Sequence, residues 1–338
     1  MNIVDHCKTL IIAEVGVNHN GDLNIAKTLI QEAAKAGADV VKFQSFNADL
    51  LVTENAPKAE YQKDLKQNDS HYDMLKKLEL AGNDYIELID ECKIHNIEFL
   101  STAFDLDNLD FLLKLNMNRI KIPSGEITNL PFLKRVSSID LPVILSTGMA
   151  DLREVKEAID ILLSNKLSKS NLSILHCTSQ YPAQFHEINL QAIKTLKSKF
   201  GLEVGYSDHT LGIEASVAAV ALGARIIEKH ITLDTSLPGP DHKASIEPDD
   251  FRDMISAIRN IEIGLGDGIK KASFAEIEMR NIARKSLVAK KSILKDEILS
   301  EQNITIKRPG NGISPMLLEE VLGSKAVKNF KRDELIIK

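Results

Sequence analysis

Tryptophan is missing from the chain, aromatic side chains make up 5% of it, and cysteine occurs only at Cys7, Cys92 and Cys177, with no CxxC pair. An odd number of scattered thiols excludes a disulfide framework and points to reduced cysteines in a cytoplasm. A basic surplus is missing too: 42 Lys and Arg face 48 Asp and Glu, for a net charge of −6 and a pI near 5.9. General nucleic-acid binding depends on neutralising phosphates with Lys and Arg, so nucleic acid is not an expected partner. No apolar run comes near the roughly 18 residues that a membrane helix requires, so a membrane is not expected either. The opening residues MNIVDHCKTLIIAEVG carry acidic side chains and lead straight into a strand-like stretch, unlike a signal peptide. No GxGxxG follows the first apolar run, which removes the main cue for a dinucleotide-binding sheet.

What is present is an α/β pattern. With 43% hydrophobic and 27% charged residues over 338 positions, the chain has a globular composition and the length of one large domain plus a small one. Strands are expected at Thr9–Val15, Asp39–Phe46, Ile97–Phe104, Arg119–Ser124, Pro142–Thr147, Leu172–Thr178, Glu203–His209 and Arg225–Thr232. These runs are short and apolar, as parallel strands covered on both faces must be. Amphipathic helices are expected between them, among others at Leu23–Lys35, Asp84–His95, Leu152–Leu163, Asn189–Ser198 and Ile213–Leu222. Asp151 suits an N-cap and Gly37 a helix stop. Eight β/α units within residues 9–265 favour a closed (β/α)8 TIM barrel over an open sheet. The connection Asn47–Gly82 is long and polar and includes the helix-like HYDMLKKLEL; long connections of this kind commonly serve as lids or binding loops.

Past Leu265 the rhythm changes to short apolar segments broken by charges and glycines. The expected division is a barrel domain over 1–266, a linker over 267–284 and a small domain over 285–338. Lys285–Lys338 holds eleven Lys or Arg against seven Asp or Glu, a local excess of positive charge. So small a domain is expected to lean on the barrel or on another subunit.

In a barrel of this kind the reactive groups belong at the carboxyl ends of the strands. Those ends read Glu14 with Asn18-His19-Asn20-Gly21, then Lys42-Phe43-Gln44, Ser101-Thr102, Lys121 to Glu126, and Ser146-Thr147-Gly148. The last three read His176 to Tyr181, Ser207 to Thr210, and Glu228-Lys229-His230. Lys42 and Lys121, with the hydroxyls of Ser124, Ser146 and Ser207, suit a small multiply charged anion such as a phosphorylated carboxylate. Two lysines snorkelling at a rim, or one forming a Schiff base in an aldolase, would leave the same pattern.

His209 and His230 end neighbouring strands, about 4.8 Å apart. They are able to share one divalent metal in an open catalytic site, or to be hydrogen-bonded rim histidines. Glu14 and Glu126 read either as a base or cation stabiliser or as counter-ions to the lysines. His19, His71, His95 and His186 read as surface or loop residues. Arg308 lies in KRPGNG, a stiff turn able to aim a guanidinium outward.

At these residues the chain resembles the bacterial sialic acid synthases, which condense phosphoenolpyruvate with an N-acylated hexosamine. The resemblance rests on EVGVNHNG (14–21), VKFQ (41–44), KIPSGE (121–126), LSTGM (145–149), LHCTSQYP (175–182), GYSDHT (205–210), EKHITL (228–233), GPDHKAS (239–245) and KRPGNGI (307–313). It implies a (β/α)8 barrel followed by an antifreeze-like (SAF, β-clip) domain. It also implies that Lys42, Lys121, Ser124, Ser146 and Ser207 hold phosphoenolpyruvate, with Ser179 beside them at a position where some relatives carry Asn or Thr. His209 and His230 are implied to bind Mn2+ or Mg2+, and Glu14 and Glu126 to lie by the reacting carbon. Gln44, Tyr181 and Asp241 are implied to hold the sugar, with Arg308 reaching its N-acyl group from the other subunit of a domain-swapped homodimer.

The expected sugar is N-acetylmannosamine, giving N-acetylneuraminate. The alternative is 2,4-diacetamido-2,4,6-trideoxymannose, giving N,N′-diacetyllegionaminate. A Schiff-base pyruvate aldolase and a non-enzymatic anion-binding module are the remaining readings.

Overall fold

The structure is a computed structural model and describes residues 8–59, 62 and 70–338. The chain divides into two compact units, Met1–Gly266 and Asp267–Lys338.

The first unit is a closed barrel whose eight parallel strands follow chain order. They are β1 (Leu10–Gly16), β2 (Val40–Ser45), β3 (Glu98–Ala103), β4 (Ile120–Ile122), β5 (Val143–Ser146), β6 (Leu172–Cys177), β7 (Glu203–Asp208) and β8 (Ile226–His230). Around them run α1 (Leu23–Ala36), α2 (Ala48–Leu51), α3 (His71–Leu78), α4 (Gly82–Ile94), α5 (Leu106–Lys114), α6 (Leu130–Ser137), α7 (Leu152–Leu162), α8 (Ala192–Phe200), α9 (Glu214–Ala221) and α10 (Pro248–Gly264).

The expected local rules hold. Asp22 caps α1 by accepting from the backbone N–H of Asn24 and Ile25, and Gly37 ends it at φ 95°, a conformation that favours glycine. Ala26, Leu29, Ile30 and Ala33 form the buried stripe between those caps. Asp151 likewise caps α7 with a reciprocal bond from Glu154.

β4 is shorter than the expected Arg119–Ser124. Pro123 has no N–H to give the ladder, and Ser124–Glu126 coils into a 3-10 turn. The long second connection carries α2 and α3, and Met74 and Leu78 pack with Val17 and Phe46 in a small satellite core. Residues 60–61 and 63–69 of that connection, and Cys7 at the start of the chain, lie outside the described residues.

The second unit is built on an antiparallel pair, β9 (Ser286–Ala289) with β10 (Ile304–Lys307), over a core of Leu287, Ile293, Leu299, Val321, Phe330 and Ile336. It also holds α11 (Phe274–Ala283) and α12 (Leu318–Val321). α11 lies inside the stretch read from the sequence as a linker; Ser273 and Glu276 close a capping box at its start. None of its residues is buried, and Phe274 is 86% exposed. Within this unit the Gly310 N–H donates to the Asn281 carbonyl at 2.7 Å, tying the KRPGNG turn to the end of α11.

Candidate active site

Side chains alternate along a strand, so every second residue at the strand ends points into the barrel. The ladder registers Glu14 against both Lys42 and His230, Thr102 against Lys121, and Ser207 against Glu228. β4 and β8 stand on opposite sides of an eight-strand ring. Contacts between their side chains therefore cross the interior.

Such contacts are present. Glu228 Oε1 lies 3.4 Å from Lys121 Nζ, and Oε2 lies 3.7 Å from Lys42 Nζ. Lys42 pairs more closely with Glu14 Oε2, at 2.7 Å, and donates to Thr102 Oγ1 at 3.0 Å. Lys121 donates to Ser146 Oγ at 2.8 Å, and Ser207 Oγ donates to Glu228 at 3.0 Å. All of these groups are buried. The site is therefore a compensated network of two ammonium groups and two carboxylates, rather than a purely cationic cradle.

The two carboxylates are driven apart. Burial pushes Glu228 upward, but Lys121, Lys42 and the Ser207 hydroxyl outweigh it and hold the acid down at about 2. Burial dominates at Glu14: with the negative Glu228 adding to it, the acid rises to about 7 despite the opposing pull of Lys42. Lys42 faces both carboxylates, which overcome its burial and raise its pKa. Lys121 is lowered by burial and by the like charge of Lys42. A permanently ionised acid next to one that titrates near neutrality is the usual signature of an acid–base pair.

His209 and His230 project beside this network with ring centroids 5.5 Å apart, and Tyr181 sits 4.1 Å from the first and 5.7 Å from the second. His209 Nδ1 is 2.8 Å from the Thr178 carbonyl. A carbonyl can only accept, so Nδ1 carries a proton, and in the neutral ring it is Nε2 that keeps the lone pair. Burial disfavours charge on His209, but the Cys177 sulfur 3.8 Å away and the Thr178 carbonyl raise its pKa on balance. Burial and the positive neighbours His209 and Lys42 push His230 well below the ordinary histidine range, so it is neutral. Its buried Nδ1 has no hydrogen-bond partner among the described residues and lies 3.9 Å from Asp241 Oδ2.

Two convergent imidazoles, one of them neutral with a nitrogen that has no partner among the described residues, fit a divalent ion whose other positions go to water and substrate. Among the described residues no set of three or more His, Cys, Asp or Glu forms a closed metal cage.

The remaining predicted residues fall into three groups. Gln44 donates to Glu14 Oε1 at 3.1 Å, and Asp241, raised by burial to about 6, stands by His230; both belong to the same mouth. Ser124 and Ser179 meet at Gly148. The Gly148 N–H donates to Ser124 Oγ at 3.0 Å, and a Cβ there would lie 2.2 Å from Ser179 Oγ, so the close approach of three loops requires glycine. Glu126 turns to other partners, accepting from Asn129 Nδ2 at 2.5 Å; burial and Asp105 raise its pKa. Arg308 is exposed in the second unit, just past β10.

The sequence pattern left Glu228 and Thr102 without a role. Glu228 stands two residues before His230 on one strand, a spacing that puts both side chains on the same face, and that was the available signal. His19 is not a surface residue. It is fully buried, with Nδ1 accepting from the Gly21 N–H at 3.0 Å, because the Asn18–Gly21 turn folds back over the barrel mouth. The same turn is fastened to the last βα connection: Asn18 Nδ2 donates to the Ile231 carbonyl and to Ser245 Oγ, and Asn20 Oδ1 meets His242 Nε2 at 3.2 Å.

Residues 29–270 match the model of the NeuB family, and residues 284–337 match that of the SAF domain. The chain is 57% identical over 330 residues to the N,N′-diacetyllegionaminic acid synthase of Campylobacter jejuni, covering 97% of this chain and 99% of that protein. It is 48% identical to the protein of the same name from Legionella pneumophila, over 95% and 91% of the two chains. Among solved structures, the N-acetylneuraminic acid synthetase of Leptospira borgpetersenii superposes with a TM-score of 0.71 at 38% identity, over 81% of this chain and 92% of that one.

Proposed function

Because the chain belongs to the NeuB family and ends in a SAF domain, we propose that it condenses phosphoenolpyruvate with 2,4-diacetamido-2,4,6-trideoxymannose and water. The products are N,N′-diacetyllegionaminate and phosphate. It is a synthase of the transferase type, and the family's substrates are phosphoenolpyruvate and an amino sugar. The observation that carries the reading is the buried network itself: two ammonium groups and a carboxylate titrating near neutrality, gathered beside two convergent imidazoles. The diacetamido sugar is preferred to N-acetylmannosamine because the 57% and 48% identical relatives bear the legionaminic acid name. N-acetylmannosamine stays as the second reading, on the likeness to the Leptospira structure.

In this reading Lys42, Lys121, Ser146 and Ser207, with Ser124 and Ser179 at the Gly148 crossing, hold the phosphate and carboxylate of phosphoenolpyruvate. Gln44, Tyr181 and Asp241 orient the sugar. His209 and His230 would hold Mn2+ or Mg2+. When bound, the ion supplies Lewis acidity at the aldehyde oxygen of the open-chain sugar.

C3 of phosphoenolpyruvate forms the new bond to the aldehyde carbon, and positive charge develops at C2. Ionised Glu14 stabilises that charge and takes a proton from the water that adds to C2. Glu228, ionised throughout, keeps both lysines charged and aimed. Glu126 borders the same mouth from the β4 side. The C2–O bond then breaks and phosphate leaves with its bridging oxygen and the second proton of the added water; the C2 carbonyl keeps the oxygen that came from water, and the proton taken up by Glu14 ends on the former aldehyde oxygen, now a hydroxyl.

One assay tests the reading. Both sugars compete at equal concentration in ¹⁸O-labelled water, and products are read by mass. The expected result is predominantly labelled N,N′-diacetyllegionaminate with unlabelled phosphate. Label in phosphate would refute C–O cleavage, and preferential N-acetylneuraminate would move the substrate to the second reading.

We further read the working molecule as a homodimer in which Arg308 serves the barrel of a second copy and reaches the sugar's N-acyl group. Arg308 is exposed, and α11 presents Phe274, Ile277, Met279 and Ile282 to solvent at 48–86% exposure, an apolar surface that a second chain would cover. Equilibrium sedimentation is expected to give twice the 37.4 kDa chain mass; a monomer at micromolar concentration would refute the dimer.

A further inference from the structure

We propose that the buried ion pair Asp208–Lys229, behind the barrel wall, is the positioning device that sets His209 and His230 at the spacing a metal ion requires. The inference rests on the reading that those two histidines hold the ion. Each member of the pair directly precedes one of the histidines in sequence, and Asp208 and Lys229 lie opposite each other in the β7–β8 ladder. Strand alternation sends them away from the barrel interior, toward the helices, while Ser207, Glu228 and His230 point in. Ser216 of α9 shows which side this is: its Oγ donates to Asp208 Oδ2 at 2.7 Å.

The pair is fully buried on both sides and saturated. Lys229 Nζ donates to Asp208 Oδ2 at 2.9 Å and to the Thr210 carbonyl at 2.7 Å. Asp208 Oδ1 accepts from the Thr210 N–H at 2.9 Å and from Thr210 Oγ1 at 2.8 Å. One lysine on β8 therefore grips the residues on either side of His209, and its own backbone leads directly into His230. The chain leaves β7 at Asp208; beyond the strand the His209 ring is met by the Thr178 carbonyl and its carbonyl accepts from the Ala183 N–H, while the clamp ties the backbone on both sides of it to β8. A desolvated ion pair contributes little net stability compared with apolar packing, and the best-attested use of such pairs is to specify a geometry. Here the geometry specified is the relation between two imidazoles. The pair acts on the histidines through the backbone rather than by a bond to either ring, and removing groups that orient metal ligands typically weakens metal affinity by about 10–100-fold.

The test is Mn2+ binding to the intact chain by calorimetry, alongside thermal unfolding and phosphoenolpyruvate binding. The variant Asp208→Asn/Lys229→Met removes both charges together, so neither is left buried alone. It is expected to bind Mn2+ about 10–100-fold more weakly than the parent chain, with phosphoenolpyruvate affinity unchanged. A purely structural role would lower the unfolding temperature and leave Mn2+ affinity as it was, which would overturn the proposal. Should the double variant not fold, Ser216→Ala removes one bond to Asp208 without stranding a charge and is expected to weaken Mn2+ several-fold; unchanged affinity there is equally fatal. His209→Ala separates the two levels. If it abolishes Mn2+ binding while the double variant binds normally, the clamp is wrong and the metal reading stands. If it binds Mn2+ as tightly as the parent, both fall.

Discussion

Replacing Glu14 by Gln is expected to lower kcat by about two to four orders of magnitude, the range ascribed to a positioned general base or acid. The loss should come without unfolding, because the amide keeps the shape of the carboxyl, its one oxygen can accept from Lys42 Nζ in place of the present 2.7 Å contact, and Glu228 remains as a counter-ion to Lys42. The parent enzyme's kcat/KM should climb with pH and level off above about 7, since burial and the neighbouring Glu228 hold the Glu14 proton on until then. In the Gln variant that acid limb should vanish. A variant that keeps the limb would assign it elsewhere, Asp241 at about 6 being the first alternative.

Glu14 affects stability in the opposite direction. Its folded pKa is raised above the ordinary 4.5, so the stability it confers is complete below 4.5 and is lost as the pH rises through about 7. The carboxylate is most useful under conditions in which the fold least favours it, a conflict common at catalytic sites.

Glu228→Ala should produce the largest loss of stability. The parent carboxylate lies 3.4 Å from Lys121 and 3.7 Å from Lys42. Without it Lys42 keeps Glu14, but Lys121 is left buried with a hydroxyl, Ser146, as its hydrogen-bond acceptor. Stranding one partner of a buried ion pair typically costs about 3–5 kcal/mol. Chemical denaturation should show this as a lower midpoint at unchanged slope. Phosphoenolpyruvate should then raise the unfolding temperature more in the variant than in the parent, because the ligand's negative charge takes over what Glu228 supplied. A variant within about 1 kcal/mol of the parent would mean that Lys121 sheds its proton instead, and it would remove Glu228 from the account of how both lysines stay charged.

These two residues show how unevenly the site could be read in advance. Glu14 ends an apolar run inside EVGVNHNG, and its place at a strand end follows from local pattern alone. Glu228 also ends a strand, but its importance arises from Lys121, on a strand from the far side of the ring, and nothing in the residues around Glu228 announces that partner. His19 lies in a loop, as expected, but not at the surface, for the same reason. A polar letter in a turn looks solvated until the turn closes over a barrel mouth and is pinned by Asn18 and Asn20 to residues more than two hundred positions away. The end of β4 is a different kind of miss: the strand expected to reach Ser124 stops at Ile122, although the signal, Pro123 with no ladder donor, stands in the sequence itself.

By itself the sequence determined the alternation of eight strands with helices, the caps at Asp151 and Gly37, and the set of polar residues at the carboxyl ends of the strands. These depend on side-chain periodicity and on contacts a few residues apart, which the order of letters carries directly. Only the tertiary structure decided that Lys42, Lys121, Glu14 and Glu228 neutralise one another, that Glu14 titrates near 7 while Glu228 stays ionised, and that Asp208 and Lys229 meet behind the histidines. Those facts depend on barrel closure, which sets β1 beside β8 and excludes water from the space between them. Charges separated by a hundred or more residues interact strongly only when they share a cavity of low dielectric, and a linear pattern contains neither the distances nor the dielectric.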